Sequence, residues 1–412
     1  MIYLIMKKKS SIKTQYLSYY LIGFLSIIVL SLGLVIFRGE QITNNLPFTV
    51  TEIEAQDREA ERISKTIFTI QTKLEQLQNE DQLQTAGANQ RVIEKLKGNL
   101  TILTTEYEDL LDLRYNGVRV DTKEDSFTVL LDTISNKDLA LADTQLNDLV
   151  KSFDIESTNL FSLAVIAAGA AIPSNVQAVN QAPSSGYRRQ RVSSGGRSYL
   201  VDIVAADLNS NKVIVDTASN GTCNNDCPVL PLASYVSRNG AFAGINGSYF
   251  CPASYPSCSS KKNSFDILVM NKNKTYFNSD NNVYSTVPAA IFSQGSARFV
   301  SASRDWGRDT GVDAVIANRP LLVLDGNLMF AGGGESKEEV RGNRGFLGAS
   351  GNIAYIGVVR NASVAEAAKV LQTMGIKSAI NLDSGGSLAL WSGGYKMGPG
   401  RAIPNSILFV RR

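Results

Sequence analysis

The hydrophobic period changes once along this chain, and that change limits what each part can fold into. From Ile53 to Leu77 the apolar residues Ile53, Ala60, Ile63, Ile67, Ile70, Leu74 and Leu77 recur mostly at three- and four-residue steps, the spacing of one helical seam. The pattern lapses through Asn79–Asn89, around Gly87, and resumes at Ile93, Leu96, Leu100, Leu103, Tyr107 and Leu110. A third and less regular helical stretch, Glu124 to Leu160, rests on Leu139, Leu146, Leu149 and Phe153. Residues 50–160 are therefore expected to form an α-helical coiled-coil stalk. It either oligomerises or binds a helical partner, or it closes on itself as a hairpin bundle. From Tyr199 onward, short runs of Val, Ile, Ala and aromatic residues are broken by Gly, Asn, Asp and Pro, which is the texture of strands.

Those strands are expected at 199–207, 212–216, 241–246, 266–270, 313–317, 321–324, 352–359 and 405–410. One helix is well marked between them. Ser363 and Glu366 have capping-box spacing, Ala365, Ala367, Ala368, Val370, Leu371 and Met374 give a buried face, and Gly375 stands where a left-handed cap belongs. Followed by KSAINL at 377–382, this makes a βαβ-like unit that delivers Asp383 to a strand end, where α/β folds often place chemistry. The expected class is an α/β domain at 199–412, a mixed sheet with packed helices.

Two segments set the remaining organisation. Residues 17–37, LSYYLIGFLSIIVLSLGLVIF, carry no charge and are long enough for a transmembrane helix. Lys7, Lys8, Lys9 and Lys13 precede them, so residues 1–16 are expected in the cytoplasm and the rest outside, a single-pass membrane protein. Residues 161–198 join a short apolar stretch, LFSLAVIAAGAAI at 160–172, to a Pro-, Ser- and Gly-rich segment holding Arg188, Arg189, Arg191 and Arg197. A flexible linker is expected there. All four cysteines, Cys223, Cys227, Cys251 and Cys258, lie in the part expected outside, so disulfides are favoured. Two bridges are expected in one of three connectivities, the local pairs being simplest; a four-thiolate metal site is the alternative.

The chain has no His, which excludes histidine triads, Cys-His pairs and HExxH zinc helices. Its 41 Lys+Arg nearly balance 38 Asp+Glu, so no global field for nucleic acid exists. Any chemistry falls to carboxylates, Arg, amides, hydroxyls or a bound ion. Three short motifs offer these. INGSYF at 245–250 puts the amide of Asn246 beside Gly247. NRGFLG at 343–348 offers the guanidinium of Arg344, suited to phosphate or carboxylate. NLDSGGS at 381–387 sets Asn381 and Asp383 before a turn, Gly385, Gly386 and Ser387, whose N–H groups suit an anion or ligand. Singly, each is more often a turn, a surface charge or a loop cap.

Together and in this order, with ANRPLLVLDGNL at 317–328 and IPNSILFV at 403–410, they resemble the phosphodiester glycosidase family over residues 199–410. The resemblance implies hydrolysis of the bond between a sugar's anomeric carbon and a phosphodiester oxygen. Arg344 would hold the phosphate and Asp383 would act as nucleophile, base or electrostatic stabiliser. Asn246 would orient sugar hydroxyls, while Gly247, Asn381, Gly385, Gly386 and Ser387 would bind substrate. Two departures stand out: Ser384 where the family has Gly, and Gly345 where it commonly has Thr. A second carboxylate stays unassigned among Asp266, Asp305, Asp309, Asp313 and Glu335, as does a divalent cation near Asp383; no other cofactor is implied. Gly332–Gly334 lack a Walker ending, and Arg304, Trp306 and Arg308 have a saccharide-binding or plain surface reading. The expected substrate is a sugar phosphodiester in surface polysaccharide, envelope polymer or glycoconjugate. The competing readings are a silent carbohydrate-binding or assembly module and a coiled-coil scaffold.

Overall fold

The computed structural model describes residues 50–84, 88–115, 119–120, 123–168, 172, 175–280, 285–307, 310–333 and 336–412. Residues Glu59–Arg412 form one compact unit. Four helices come first, α1 (Val50–Gln84), α2 (Ala88–Tyr115), α3 (Glu124–Ser135) and α4 (Leu139–Ala168). Of the expected seam from Ile53 to Leu77, the part from Ala60 onward is buried in one core with the seam from Ile93 to Leu110 and with Phe127, Ile134, Leu146 and Phe153, and the side chain of Ile53 lies outside those described. The helices thus satisfy their apolar stripes against one another within the chain. Tyr107, Phe127 and Phe153 meet edge-to-face within this core at centroid distances of 5.9–6.5 Å.

The expected transmembrane class and single-pass location are corrected here. The run 17–37 lies outside the described residues, and among those described no helix is long and apolar enough to cross a membrane. The apolar residues from Leu160 are the end of α4, a helix whose earlier turns carry Asp143, Asp148, Lys151, Asp154 and Glu156.

Three sheets, antiparallel throughout, make up the rest. The first runs β1 (Gly186–Ser194), β2 (Arg197–Asp207), β13 (Ile353–Ala362), β12 (Gly342–Ser350), β14 (Ser378–Asn381), β10 (Leu321–Leu324) and β11 (Asn327–Leu328). The second runs β16 (Tyr395–Met397), β15 (Leu390–Ser392), β4 (Ala243–Asn246), β17 (Asn405–Arg411) and β3 (Asn211–Thr217). The third runs β6 (Tyr276–Phe277), β5 (Val269–Met270), β9 (Ala314–Ala317), β7 (Ala289–Ser293) and β8 (Ser296–Val300). Side chains alternate along each strand, so the two faces of β2 enter different cores. Val204 and Ala206 join the core shared by all three sheets, whereas Val201, Ile203 and Ala205 meet Ala367, Val370 and Leu371 of a covering helix.

That helix, α7 (Val364–Thr373), follows α5 (Leu232–Asn239) and the short α6 (Ser336–Glu339). Its capping box is complete: Ser363 Oγ accepts from the Glu366 N–H at 3.2 Å and Glu366 accepts from the Ser363 N–H at 2.9 Å. Gly375 has φ +78°, which terminates the helix. The expected βαβ-like unit is a split one, because β13 and β14 both pair antiparallel with β12, which lies between them. Residues 186–194, within the expected linker, are the edge strand β1. It folds back on β2 through Gly195 and Gly196, both at positive φ. Its Arg189 pairs with the buried Asp202, and Arg197 of β2 reaches Glu366. Both local disulfides form, Cys223–Cys227 and Cys251–Cys258.

Candidate active site

Arg344 and Asp383 are brought together by strand register. Phe346 of β12 faces Asn381 of β14, and two residues back on one antiparallel strand is opposite two residues on along the other. The Leu382 N–H donates to the Gly345 carbonyl at 2.9 Å and carries the pairing past the end of β14. Beyond it the chain turns through Gly385–Ser387. Arg344, Asp383, Ser384, Gly385 and Ser387 line a cavity of about 560 Å³, together with Tyr249, Tyr255, Arg319, Glu338, Arg341 and Arg401.

Asn246, Gly247, Asn381 and Gly386 do not line it, and their contacts explain why their residue types are needed. Asn246 donates from Nδ2 to the Asp383 carbonyl at 2.7 Å and accepts at Oδ1 from the Ala389 N–H at 3.1 Å. Its amide is committed to the backbone on both sides of the Gly385–Ser387 turn, at Asp383 and at Ala389, rather than to the cavity. A Cβ on Gly247 would stand 1.8 Å from Asn405 Oδ1. Asn405 in turn accepts from the Ser248 N–H at 3.0 Å and donates to Ser248 Oγ at 2.9 Å, which ties the closing strand to the first motif. Asn381 Nδ2 donates to the Tyr249 hydroxyl at 2.7 Å and so orients a ring of the cavity wall.

Burial pushes the Asp383 carboxyl up to about 7. The Ser387 hydroxyl and the Arg401 charge oppose that rise, Asp112 adds to it, and the Ser384 N–H, donating to Oδ1 at 2.9 Å, opposes it again. A carboxyl so placed exchanges protons near neutrality, as a general acid or base requires. Burial also lowers the pKa of the Arg344 guanidinium, with Tyr249, Glu338 and Asp112 acting the other way. Arg344 donates to the carbonyls of Ala362, at 3.1 Å, and Val340.

The two departures from the family pattern are accommodated locally. Ser384 Oγ accepts from the Gly345 N–H at 3.4 Å and donates to the Leu382 carbonyl at 3.2 Å, so this side chain is held by backbone. A Cβ on Gly345 would stand 2.8 Å from Leu388 Cδ1, so a larger residue there requires the Leu388 side chain to shift.

Among the residues of the site or its wall that the motifs missed are Asp112, Tyr249, Tyr255, Arg319 and Arg401. Tyr249 lies inside INGSYF, and Arg401 stands two residues before the IPN segment, so both were within reach of motif reading. Tyr255 sits in the loop closed by Cys251–Cys258 and packs against the helical core. The helices supply the opposite wall, through Glu106, Asp109 and Asp112 of α2 and Asp154, Ser157 and Thr158 of α4. None of Asp266, Asp305 and Asp313 lines the cavity; Asp313 pairs with Lys212 and Arg412. Asp309, Glu335, Gly334 and Arg308 lie outside the described residues. Trp306 is buried under Arg298, away from the cavity. Among the described residues no cluster of three carboxylates or cysteines is arranged to hold a metal ion.

Residues 239–410 match the family model described as phosphodiester glycosidase. Over those residues, under half of the chain, it is similar to the phosphodiester glycosidase family. No curated protein matches the chain. Among solved structures, a hypothetical protein from Synechocystis is 13% identical with a TM-score of 0.39, over 55% of this chain and 62% of that one, so the match spans less than two thirds of its length. The zebrafish N-acetylglucosamine-1-phosphodiester alpha-N-acetylglucosaminidase catalytic domain, auto-inhibited by pro-peptide, is 16% identical with a TM-score of 0.44, over 57% of this chain and 87% of that one. A putative exported protein from Burkholderia pseudomallei is 11% identical with a TM-score of 0.33, over 52% and 74%.

Proposed function

We propose that this chain hydrolyses the bond between a sugar's anomeric carbon and a phosphodiester oxygen. The observation that supports it is the register that sets Arg344 of β12 opposite Asp383, just past the end of β14, in the wall of one cavity, within residues that match the phosphodiester glycosidase family model. Water adds its oxygen to the anomeric carbon as the carbon–oxygen bond breaks, and the bonding pair leaves on the phosphate oxygen. The proton lost by the water passes to the Asp383 carboxylate. Arg344 holds the phosphate and spreads the charge that develops on it. Phosphate is a good leaving group, so no histidine acid is needed to assist its departure. A surface polysaccharide or glycoconjugate with a sugar-1-phosphodiester linkage fits this chemistry.

The test is release of free sugar from a panel of sugar-1-phosphodiesters by the full chain, with and without chelator, beside Arg344→Ala and Asp383→Asn. Turnover by the parent that each folded variant reduces at least about a hundredfold, ~2.7 kcal/mol of transition-state stabilisation, is the expected result. Equal turnover by parent and variants, or none by the parent, sinks the reading.

A further inference from the structure

One wall of the cavity lies outside residues 239–410, the part of the chain that matches the family model. Asp112 of α2 extends from the helical bundle onto the turn after Asp383, where its Oδ1 accepts from Arg401 Nη2 at 3.1 Å and from the Gly386 N–H at 3.4 Å. A third donor is the Tyr255 hydroxyl. Gly385, at φ +59°, lies directly beneath: a Cβ there would stand 2.9 Å from the Asp112 carboxyl carbon. Arg401 is only 8% exposed and lies 5.0 Å from the Tyr255 ring centroid, so its planar guanidinium is fixed by a carboxylate and a ring at once. One helical turn before Asp112, Glu108 accepts from the Ser257 N–H at 3.0 Å and anchors α2 to the disulfide loop. On the opposite face of α2, Tyr107, Leu110 and Leu111 are buried in the bundle core, so the helix holds its register against the site.

With Arg401 8% and Asp112 29% exposed the pair is half-buried, and such a pair is a poor source of stability, because desolvation and solvent screening offset much of the attraction. The Asp112–Arg401 pair is better explained by what it positions. Resting on the reading of Asp383 and Arg344 above, we propose that Asp112 is a positioning residue of the same active site. Its carboxylate holds Arg401 and the Gly385–Gly386 turn in the arrangement that faces Asp383, so the helical bundle is a necessary half of the site. Arg401, so held, adds a second cation to the phosphate side of the cavity.

The experiment compares the full chain with Asp112→Asn, Asp112→Ala, Arg401→Met and the double variant Asp112→Asn/Arg401→Met on the sugar-1-phosphodiester the parent turns over best. Asp112→Asn is expected to lower kcat at least tenfold with a smaller change in KM, and the double variant to be no worse than Arg401→Met alone. Formate is expected to restore part of the turnover of Asp112→Ala, a response that a purely structural residue would not give. Tyr255→Phe removes only the hydroxyl that Asp112 accepts from, and is expected to reproduce a weaker form of the same loss without unfolding. Parent-like or faster turnover by Asp112→Asn overturns the proposal, since a carboxylate that merely fills the cavity would slow the parent instead. Loss of turnover in Asp383→Asn alone, with Asp112→Asn unaffected, retains the reading of the site and removes only this inference. Where the parent releases no sugar, affinity for a sugar-1-phosphate methyl diester replaces turnover. A tenfold weakening in Asp112→Asn then supports the proposal and an unchanged affinity overturns it.

Discussion

In the helical bundle, Ile63, Ile67, Ile70 and Leu74 reach the core from a single helix and meet its neighbours through one repeating step. In the sheet domain, Ile245 is flanked by Leu390 on one side and Ile407 on the other, residues contributed by the far end of the chain. The first core is built from local order and the second from long-range pairing, which must pay loop-closure entropy before any contact forms. The proposed catalytic pair belongs to the second kind: Arg344 and Asp383 exist as a pair only once β12 and β14 are in register. The wall supplied by α2 belongs to the first kind, a rigid helix that docks on the finished turn.

The largest expected effect tests whether the two regions are one cooperative unit. Phe153 is fully buried and meets Tyr107 and Phe127 edge-to-face, just before the stretch of α4 that lines the cavity. Phe153→Ala is expected to cost ~3–5 kcal/mol of stability, by denaturant unfolding followed by far-UV dichroism. A single transition displaced to lower denaturant would mean that bundle and sheet domain unfold together. Two separated transitions would break the comparison in favour of independent regions.

The same contrast explains what could be read in the sequence. The seams from Ala60 to Leu77 and from Ile93 to Leu110, the capping box of Ser363 and Glu366 and the strand 321–324 all rest on local spacing, and the structure has each of them. The local disulfides follow the same logic. The edge strand β1 was hidden because edges tolerate charge: Gly186–Ser194 carries three arginines, and only Gln190 and Val192 are buried. Its signal was the Gly195-Gly196 pair, a two-residue hairpin turn, within a segment whose composition resembles a tether. The roles of Asn246 and Gly247 were out of reach for a different reason. Both depend on Asp383, Ala389 and Asn405, which no local pattern connects to them. Asp112 lay outside every motif, on a helix whose period explains only its buried face.

The second effect is electrostatic and belongs to the sheet domain. Burial holds Asp383 at about 7, above its unfolded value near 3.8, so the folded chain binds more protons than the unfolded chain between those values. Stability from this group is therefore fully present at low pH and is lost as pH rises through about 4 to 7, by up to roughly 4 kcal/mol. Asp383→Asn cannot ionise, so its stability relative to the parent is expected to grow across that window while its turnover disappears. Unfolding free energies of both proteins at pH 4 and pH 8 give the difference, and equal slopes would show that the carboxyl is hydrated in the folded state. For the active protein, kcat/KM is expected to rise through pH 7 as the Asp383 carboxylate forms.

A smaller effect tests the packing behind that carboxylate. Gly247→Ala places a methyl against Asn405 Oδ1 and the Asn405 carbonyl, and Asn405 has no room to withdraw while it bonds Ser248. A cost of ~1–3 kcal/mol is expected, with KM changed less than stability, because Gly247 lies outside the cavity wall. A variant of parental stability with weakened substrate binding would return Gly247 to the binding role its motif first implied.

The smallest effect lies on the bundle surface. Lys95 of α2 donates to Asp143 of α4 at 2.5 Å, and its side chain is 57% exposed. One turn on, Asn99 donates to Asn147 at 2.9 Å, so a second polar link joins the same two helices. Beneath both, Leu96, Leu100 and Leu146 share the apolar core that holds α2 and α4 together. Water already solvates Lys95, and ordering a long side chain offsets part of the attraction, so Lys95→Ala is expected to cost only ~0.2–1 kcal/mol. Raising the salt concentration should shrink that difference, because counterions screen an exposed pair. The pH dependence contributed by Asp383 should persist at the same salt, since its cause is exclusion of water from a cavity wall. If salt abolished both effects equally, the Asp383 carboxyl would be as open to solvent as a bundle lysine, and the electrostatic contrast between the two regions would fail.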